Sequence, residues 1–245
     1  MIKENTFYDK HPYIFFNSEK EAIKNMDSNL KDLIKKHKDK VIYDIGCGCG
    51  RNLYFASKYG KKIYAIDISK ISLNLAEKTI KSKNVIFKEG DNLNLDIKNN
   101  SADLVISEGV IHHTGNTKKA FKECVRILKS GGYFYLEVYK KWRYYAFIYM
   151  YLGGVMRVLT KFKLTNHIIE KICIPLHYKL SKFKKIHKNS TKQDIKNIFY
   201  DYFITPIAGF QSKKTVQRWI DEAGCSLIKY KKTNQNCHRF IIKKL

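Results

Sequence analysis

Apolar residues in this chain gather in short runs, and between the runs they recur every three or four positions. The runs read as buried strands, the spaced stretches as helices laid against them. Val41-Ile42-Tyr43-Asp44-Ile45 is the first run, interrupted only by Asp44. Gly46, Gly48 and Gly50 follow at alternate positions, and Arg51 to Ala56 then has helical spacing. Ile63 to Ile66, Val85 to Phe87, residues 101–108 and Tyr133 to Val138 repeat the strand pattern. Ser69 opens a helix carrying Ile71, Leu75 and Ile80; Thr117 opens another with Ala120, Phe121, Cys124, Val125 and Leu128 inward. This repetition predicts an α/β fold, a doubly wound, mostly parallel sheet with helices on both faces.

Ahead of that core, Ser18 and Glu21 form a capping box, predicting one helix to about Lys36 with Ile23, Met26, Leu30, Leu33 and Ile34 on one side. Residues 140–211 break the rhythm: Trp142 to Leu152 is densely aromatic, and helical spacing continues through Ile168, Ile172, Leu176 and Leu180. We read this stretch as a helical cap that shapes a pocket beside the carboxyl ends of the strands, where such sheets bind ligands. Its apolar run is too short and too interrupted to cross a bilayer. Packing of its aromatics on the sheet is the favoured reading, with contact at a membrane surface as the alternative. Ser212 precedes a last helix with Val216, Trp219 and Ile220, closed by Gly224; two strand-like runs, 226–231 and 239–243, end the chain. The expected organisation is thus 1–139 for leader and ligand-binding part, 140–211 for the cap, and 212–245 for the closing helix and hairpin.

The glycine turn decides the ligand. A dinucleotide turn places its third glycine where Arg51 stands here; Gly50 comes one residue early. Asp44 would repel a diphosphate and attract a cationic amino-acid group. Asp67 follows the turn by about 20 residues, the distance at which an acid meets ribose hydroxyls. A phosphate-free nucleoside with a positive amino-acid tail satisfies both acids, and S-adenosylmethionine is that molecule.

On Asp44 to Gly50 and Asp67, the chain resembles the class I S-adenosylmethionine-dependent methyltransferases, of the small-molecule "type 11" kind, from about Lys40 to Glu137 and again from Lys213. Gly90-Asp91-Asn92 resembles the segment whose acid meets the adenine amino group, and Ser107-Glu108 the pocket end of the fourth strand. Leu128 to Phe134 resembles the turn into the fifth strand, with Ser130 where proline is commoner. The resemblance implies a Rossmann-like seven-stranded sheet with an antiparallel last strand. It also implies a cofactor site made of Asp44, Gly46, Cys47, Gly48, Gly50, Asn52, Asp67, Ile68, Asp91, Asn92, Ser107 and Glu108, with Tyr8 or Tyr13 of the leader folded over it. Methyl transfer from a sulfonium needs alignment above all, and a base only where the acceptor sheds a proton. His113 and then His112 are the candidates for that base. Tyr13, Tyr139, Trp142, His177, Tyr178 and Tyr202 are candidates for the acceptor pocket.

Composition changes this picture little. The formal charge is +25, yet only six of the 47 basic residues are arginine and the lysines run along the whole chain. A dedicated phosphate reader would favour arginine, so a lysine-coated surface is the favoured reading over a nucleic-acid-binding patch and an RNA acceptor. The Asp/Asn-Pro-Pro-Tyr signature of base- and glutamine-methylating enzymes is absent. Six cysteines lack a paired framework, Cys47 and Cys49 lie too close on one turn for an ordinary disulfide, and no metal-ligand set appears. The first five residues hold no signal-like apolar run, which suits a cytoplasmic protein. The function read here is methyl transfer to oxygen or nitrogen of a small molecule such as a sugar or other hydroxylated metabolite. The alternatives are a membrane-presented quinone or lipid acceptor, and a cofactor-binding protein without turnover.

Overall fold

The structure, a computed structural model, describes residues 4–12, 14, 16, 18–141, 144–183, 191–233 and 236–245. Tyr13 and Trp142 therefore lie outside the described residues. The chain divides into two compact units, residues 1–141 with 207–245, and residues 142–206.

The first unit is built on β1 (Val41–Ile45), β2 (Lys62–Asp67), β3 (Val85–Glu89), β4 (Ala102–Glu108), β5 (Leu128–Tyr139), β6 (Cys225–Lys232) and β7 (Cys237–Lys244). Their order across the sheet is β3-β2-β1-β4-β5-β7-β6. The first five strands pair in parallel, and β7 runs antiparallel to both β5 and β6. Its helices are α1 (Glu4–Lys10), α2 (Glu19–Asn25), α3 (Ser28–Lys36), α4 (Leu53–Ala56), α5 (Lys70–Thr79), α6 (Thr117–Ile127) and, after the five of the second unit, α12 (Lys213–Glu222). Successive strand residues face opposite sides. Tyr43, Ile45, Val105, Phe134, Leu136 and Val138 join α6 and α12 in one core. Ile42, Leu104, Ile106, Tyr135 and Ile241 join α3, α4 and α5 in the other. Both faces are covered, which is why the strands read as apolar runs rather than as alternating ones.

Three sequence expectations shift. The helix expected from Ser18 to Lys36 is two helices, because Met26 is extended and Asp27 caps a new start by accepting from Asn29 N at 3.0 Å. The helix expected from Arg51 shortens to α4, one turn. The insertion expected over 140–211 forms a compact unit over 142–206: Lys140 N donates to Asn236 O, Lys141 N to Gln211 O and Gln211 N to Tyr139 O, so residues 139–141 and 211 belong with the sheet.

The second unit holds α7 (Tyr144–Met150), α8 (Leu152–Leu159), α9 (Lys163–Ile168), α10 (Ile174–Phe183) and α11 (Lys192–Phe199), with π-helical turns at Ile169–Cys173 and Tyr200–Ile204. Pro175 follows the first π turn; its missing N–H and its ring break the regular ladder there, and the wider turn absorbs the break. Within the unit the Tyr149 hydroxyl donates to Thr205 O at 3.0 Å and Arg157 Nη1 to Phe203 O at 3.2 Å. No helix among the described residues is long and apolar enough to cross a membrane.

Candidate functional site

The turn after β1 is fixed from below. Gly46 N and Cys47 N donate to Ile66 O at 2.7 and 3.0 Å, and Gly48 N donates to Asp67 Oδ2 at 2.7 Å. Gly46 and Gly48 have φ of +77° and +52°, the left-handed region that glycine tolerates. A Cβ on Gly46 would sit 2.1 Å from Val110 Cγ1, whereas one on Gly48 would meet nothing within 4 Å. The first glycine is demanded by packing; the second leaves the backbone open to a ligand.

Four buried polar atoms near this turn have no hydrogen-bond partner: Asp44 Oδ2 on β1, Asn52 Oδ1 beyond the turn, Asn92 Oδ1 after β3 and Ser107 Oγ on β4. Each orphan costs about 1–3 kcal/mol in a chain alone, so a set of four, three at or just past strand ends and Asn52 at the start of α4, fits a polar ligand that satisfies them. Burial pushes the Asp44 carboxyl up to about 7, the Glu108 charge adds to this, and Arg51 opposes it. A cation seated against Asp44 would hold it ionised. These residues fit the ammonium and nucleoside of the cofactor expected from the sequence.

The remaining ligand candidates lie on the same edge of the sheet. Asp67 is buried, which raises its pKa; Oδ1 accepts from Ser69 N at 2.9 Å and Oδ2 from Gly48 N. Each oxygen keeps acceptor capacity for a hydroxyl. Ile68 beside it is half-buried. Asp91 is exposed and closes its own turn by accepting from Leu93 N at 2.8 Å. In the leader, Asp9 accepts from Ser69 Oγ at 2.7 Å and from Ile71 N at 3.3 Å, pinning α1 to the start of α5. The Tyr8 ring then stands edge-on to His113 at 6.2 Å. Cys47 and Cys49 are thiols, held so by burial, which pushes Cys49 up to about 11.

Glu108 departs from expectation. Its side chain is 4% exposed and pairs with Arg51 Nη2 at 2.6 Å, with Arg239 Nη2 at 3.7 Å. Arg239 also binds Glu137 through Nε and Asp27 through Nη1 at 2.8 Å, and Lys231 reaches Asp27 at 2.8 Å. Strand register explains the cluster, since Glu108 pairs with Glu137 and Glu137 with Arg239 across β4, β5 and β7. Sequence reasoning missed it; the one signal was Glu137 inside an otherwise apolar strand.

The two histidines differ. His112 is fully buried, its ring 3.8 Å from that of Tyr139 and 4.3 Å from that of His113, and burial pushes its pKa well below the ordinary value. Burial keeps it neutral, and both its ring nitrogens lack a hydrogen-bond partner. His113 Nδ1 lies 2.9 Å from Ile207 O. A carbonyl only accepts, so Nδ1 carries the proton and Nε2 is the basic nitrogen. Gly209 N donates to His112 O at 2.6 Å, so residues 207–209 strap the histidine turn. Of the other pocket candidates, Tyr139 adjoins His112, while His177, Tyr178 and Tyr202 belong to the helical unit, where Tyr202 packs on Tyr145 at 4.8 Å. No group of three or more metal-ligating side chains occurs among the described residues.

Residues 43–136 match the model of a methyltransferase domain. A probable S-adenosylmethionine-dependent methyltransferase of Saccharomyces cerevisiae is 33% identical over 115 residues, 44% of this chain and 39% of that protein. Norajmaline N-methyltransferase of Rauvolfia serpentina is 32% identical over 99 residues, 38% of this chain and 34% of that protein. The chain thus spans well under half the length of these curated relatives. Among solved structures, an S-adenosylmethionine-dependent methyltransferase of Mesorhizobium loti superposes with a TM-score of 0.60 at 13% identity, covering 88% of this chain and 96% of that one. At that identity the likeness bears on the fold.

Proposed function

We propose that this chain, residues 43–136 of which match a methyltransferase domain, uses S-adenosylmethionine to methylate an oxygen or nitrogen of a small molecule. The observation that supports cofactor use is the set of four orphaned polar atoms with an open glycine turn. The N-methyltransferase among its relatives, named for its acceptor norajmaline, favours this acceptor class. So does the missing base-methylating signature.

When bound, the cofactor supplies a methyl carbon already activated by a sulfonium. Asp44 would hold its ammonium, Asp67 its ribose hydroxyls, and Asn92 with Asp91 the adenine edge. His113 Nε2 would take the proton lost by an acceptor hydroxyl or ammonium, with Nδ1–H held by Ile207 O in the tautomer that leaves Nε2 basic.

Cofactor carrying a labelled methyl, offered with a small-molecule extract and with bulk RNA, is expected to label the extract. Label in RNA alone would overturn the acceptor class. With an acceptor in hand, His113→Gln should lower kcat by about a hundredfold and leave the affinity for S-adenosylhomocysteine unchanged.

A pH dependence follows from Asp44. The carboxyl must be ionised to pair with the ammonium, and without ligand it titrates at about 7. Affinity for S-adenosylhomocysteine, which keeps the ammonium, should therefore climb as pH rises towards that value and level off above it. Calorimetry in two buffers of different ionisation enthalpy should show a proton released on binding below the plateau. In Asp44→Asn both the climb and the proton should vanish; a parallel pH profile would contradict the assignment.

A further inference from the structure

Seventeen large hydrophobic side chains stand exposed among the described residues, and thirteen of them belong to the helical unit, about a quarter of the chain. They are not scattered. Along α7 and α8, Tyr144, Phe147, Tyr151, Val155, Val158 and Phe162 recur every three or four residues, all between 53% and 66% exposed. Along α9 and α10, Leu164, Ile168, Ile172, Leu176 and Leu180 recur every four, between 44% and 75% exposed. A helix of a globular protein turns one apolar stripe inward. These helices already do so, through Tyr145, Tyr149, Ile169 and Ile174, each buried. The exposed stripes are a second apolar face on the same helices, of a kind that marks an interaction surface.

Charge selects the occupant. Residues 142–206 hold twelve lysines and arginines against three acids. Of the acids, Glu170 is held by Lys196 at 3.0 Å and by the Tyr200 hydroxyl at 2.9 Å, and Asp201 is buried. Lys161, Lys163, Lys171 and Lys179 are exposed beside the stripes. A second copy of the chain would bring the same excess of positive charge against itself, and RNA offers little to aliphatic side chains. Apolar stripes flanked by lysine match an anionic bilayer surface, where insertion of side chains at the acyl boundary and attraction to headgroups add together. We infer that the helical unit docks by its exposed apolar stripes on an anionic lipid surface, lying on it without crossing. This does not depend on which acceptor is methylated.

The full chain should be sedimented with vesicles of phosphatidylcholine containing about one-third phosphatidylglycerol, and with vesicles of phosphatidylcholine alone. Binding to the charged vesicles is expected, at least about tenfold tighter than to the neutral ones. Phe162→Ser with Leu164→Ser should weaken it about tenfold. Lys161→Ala with Lys163→Ala should weaken it by a similar factor, and only on charged vesicles. Circular dichroism and the thermal midpoint should be unchanged in both, since all four side chains are exposed. Failure to bind either vesicle would overturn the inference, as would binding indifferent to these substitutions. A concentration-dependent dimer dissolved by Leu164→Ser would overturn it too, by assigning the stripes to a second copy.

Discussion

Asp67→Ala is expected to weaken S-adenosylhomocysteine binding by about a hundredfold or more in titration calorimetry. A buried carboxylate facing two ribose hydroxyls makes charge-assisted bonds of about 1.5–3 kcal/mol each, and their joint loss gives that factor. Asp67 also accepts from Gly48 N and Ser69 N, so the variant loses one anchor of the glycine turn. Stability should change much less than affinity. Burial already raises the Asp67 pKa, and removing a desolvated acid offsets part of what the two backbone bonds contribute. Unchanged affinity would mean that Asp67 serves the turn alone and that the ribose sits elsewhere.

Arg239→Met should cost about 3–5 kcal/mol of unfolding free energy at neutral pH, measured in urea. Glu108 and Glu137 face each other across β4 and β5, a like-charge pairing that is unfavourable in itself. Arg239 binds both and also Asp27, whose side chain is 1% exposed. Without it, carboxylates in a shielded setting lose their main cation. The sign with pH is fixed by the same groups. Burial, then the Glu108 charge, raises Glu137 even with Arg239 present, and the variant raises it further. A folded-state pKa raised above the unfolded value penalises the fold at higher pH and ceases to matter once both states are protonated. Burial pushes Asp27 up too, but Lys231 and Arg239 outweigh it and hold its pKa below the ordinary range. That contribution to the natural protein is lost on acidification. The deficit of the variant should therefore shrink from pH 7 towards about pH 4. Arg239→Lys should fall between, because it keeps the charge without the fork. A loss under about 1 kcal/mol, or one flat with pH, would show that the cluster is not held as described.

What could be read in advance follows from what each feature depends on. β1, the glycine turn and β2 with its closing Asp67 were legible because a buried strand and a left-handed turn constrain residue type within a few positions. Ser107 at the end of β4 and Asn92 just past β3 follow directly from where those strands stop. The break at Met26 and Asp27 was not legible. Asp27 looks like any helical acid until Arg239, which is 212 positions away in sequence, is brought to it by β7. The tautomer of His113 likewise depends on Ile207, 94 residues later and beyond the whole helical insertion. Long-range pairings of single polar side chains leave no periodic trace. The exposed stripes have the opposite problem, since a helical period does not say which of two apolar faces is buried.

The account rests on Asp44, Asp67 and the open glycine turn holding a cationic, phosphate-free nucleoside. Titrating the purified chain with S-adenosylhomocysteine in a calorimeter above pH 7 tests this most directly. Heat of binding should saturate at one ligand per chain and the affinity should fall about a hundredfold or more with Asp67→Ala; no heat, with saturable heat from a nicotinamide dinucleotide instead, would contradict it.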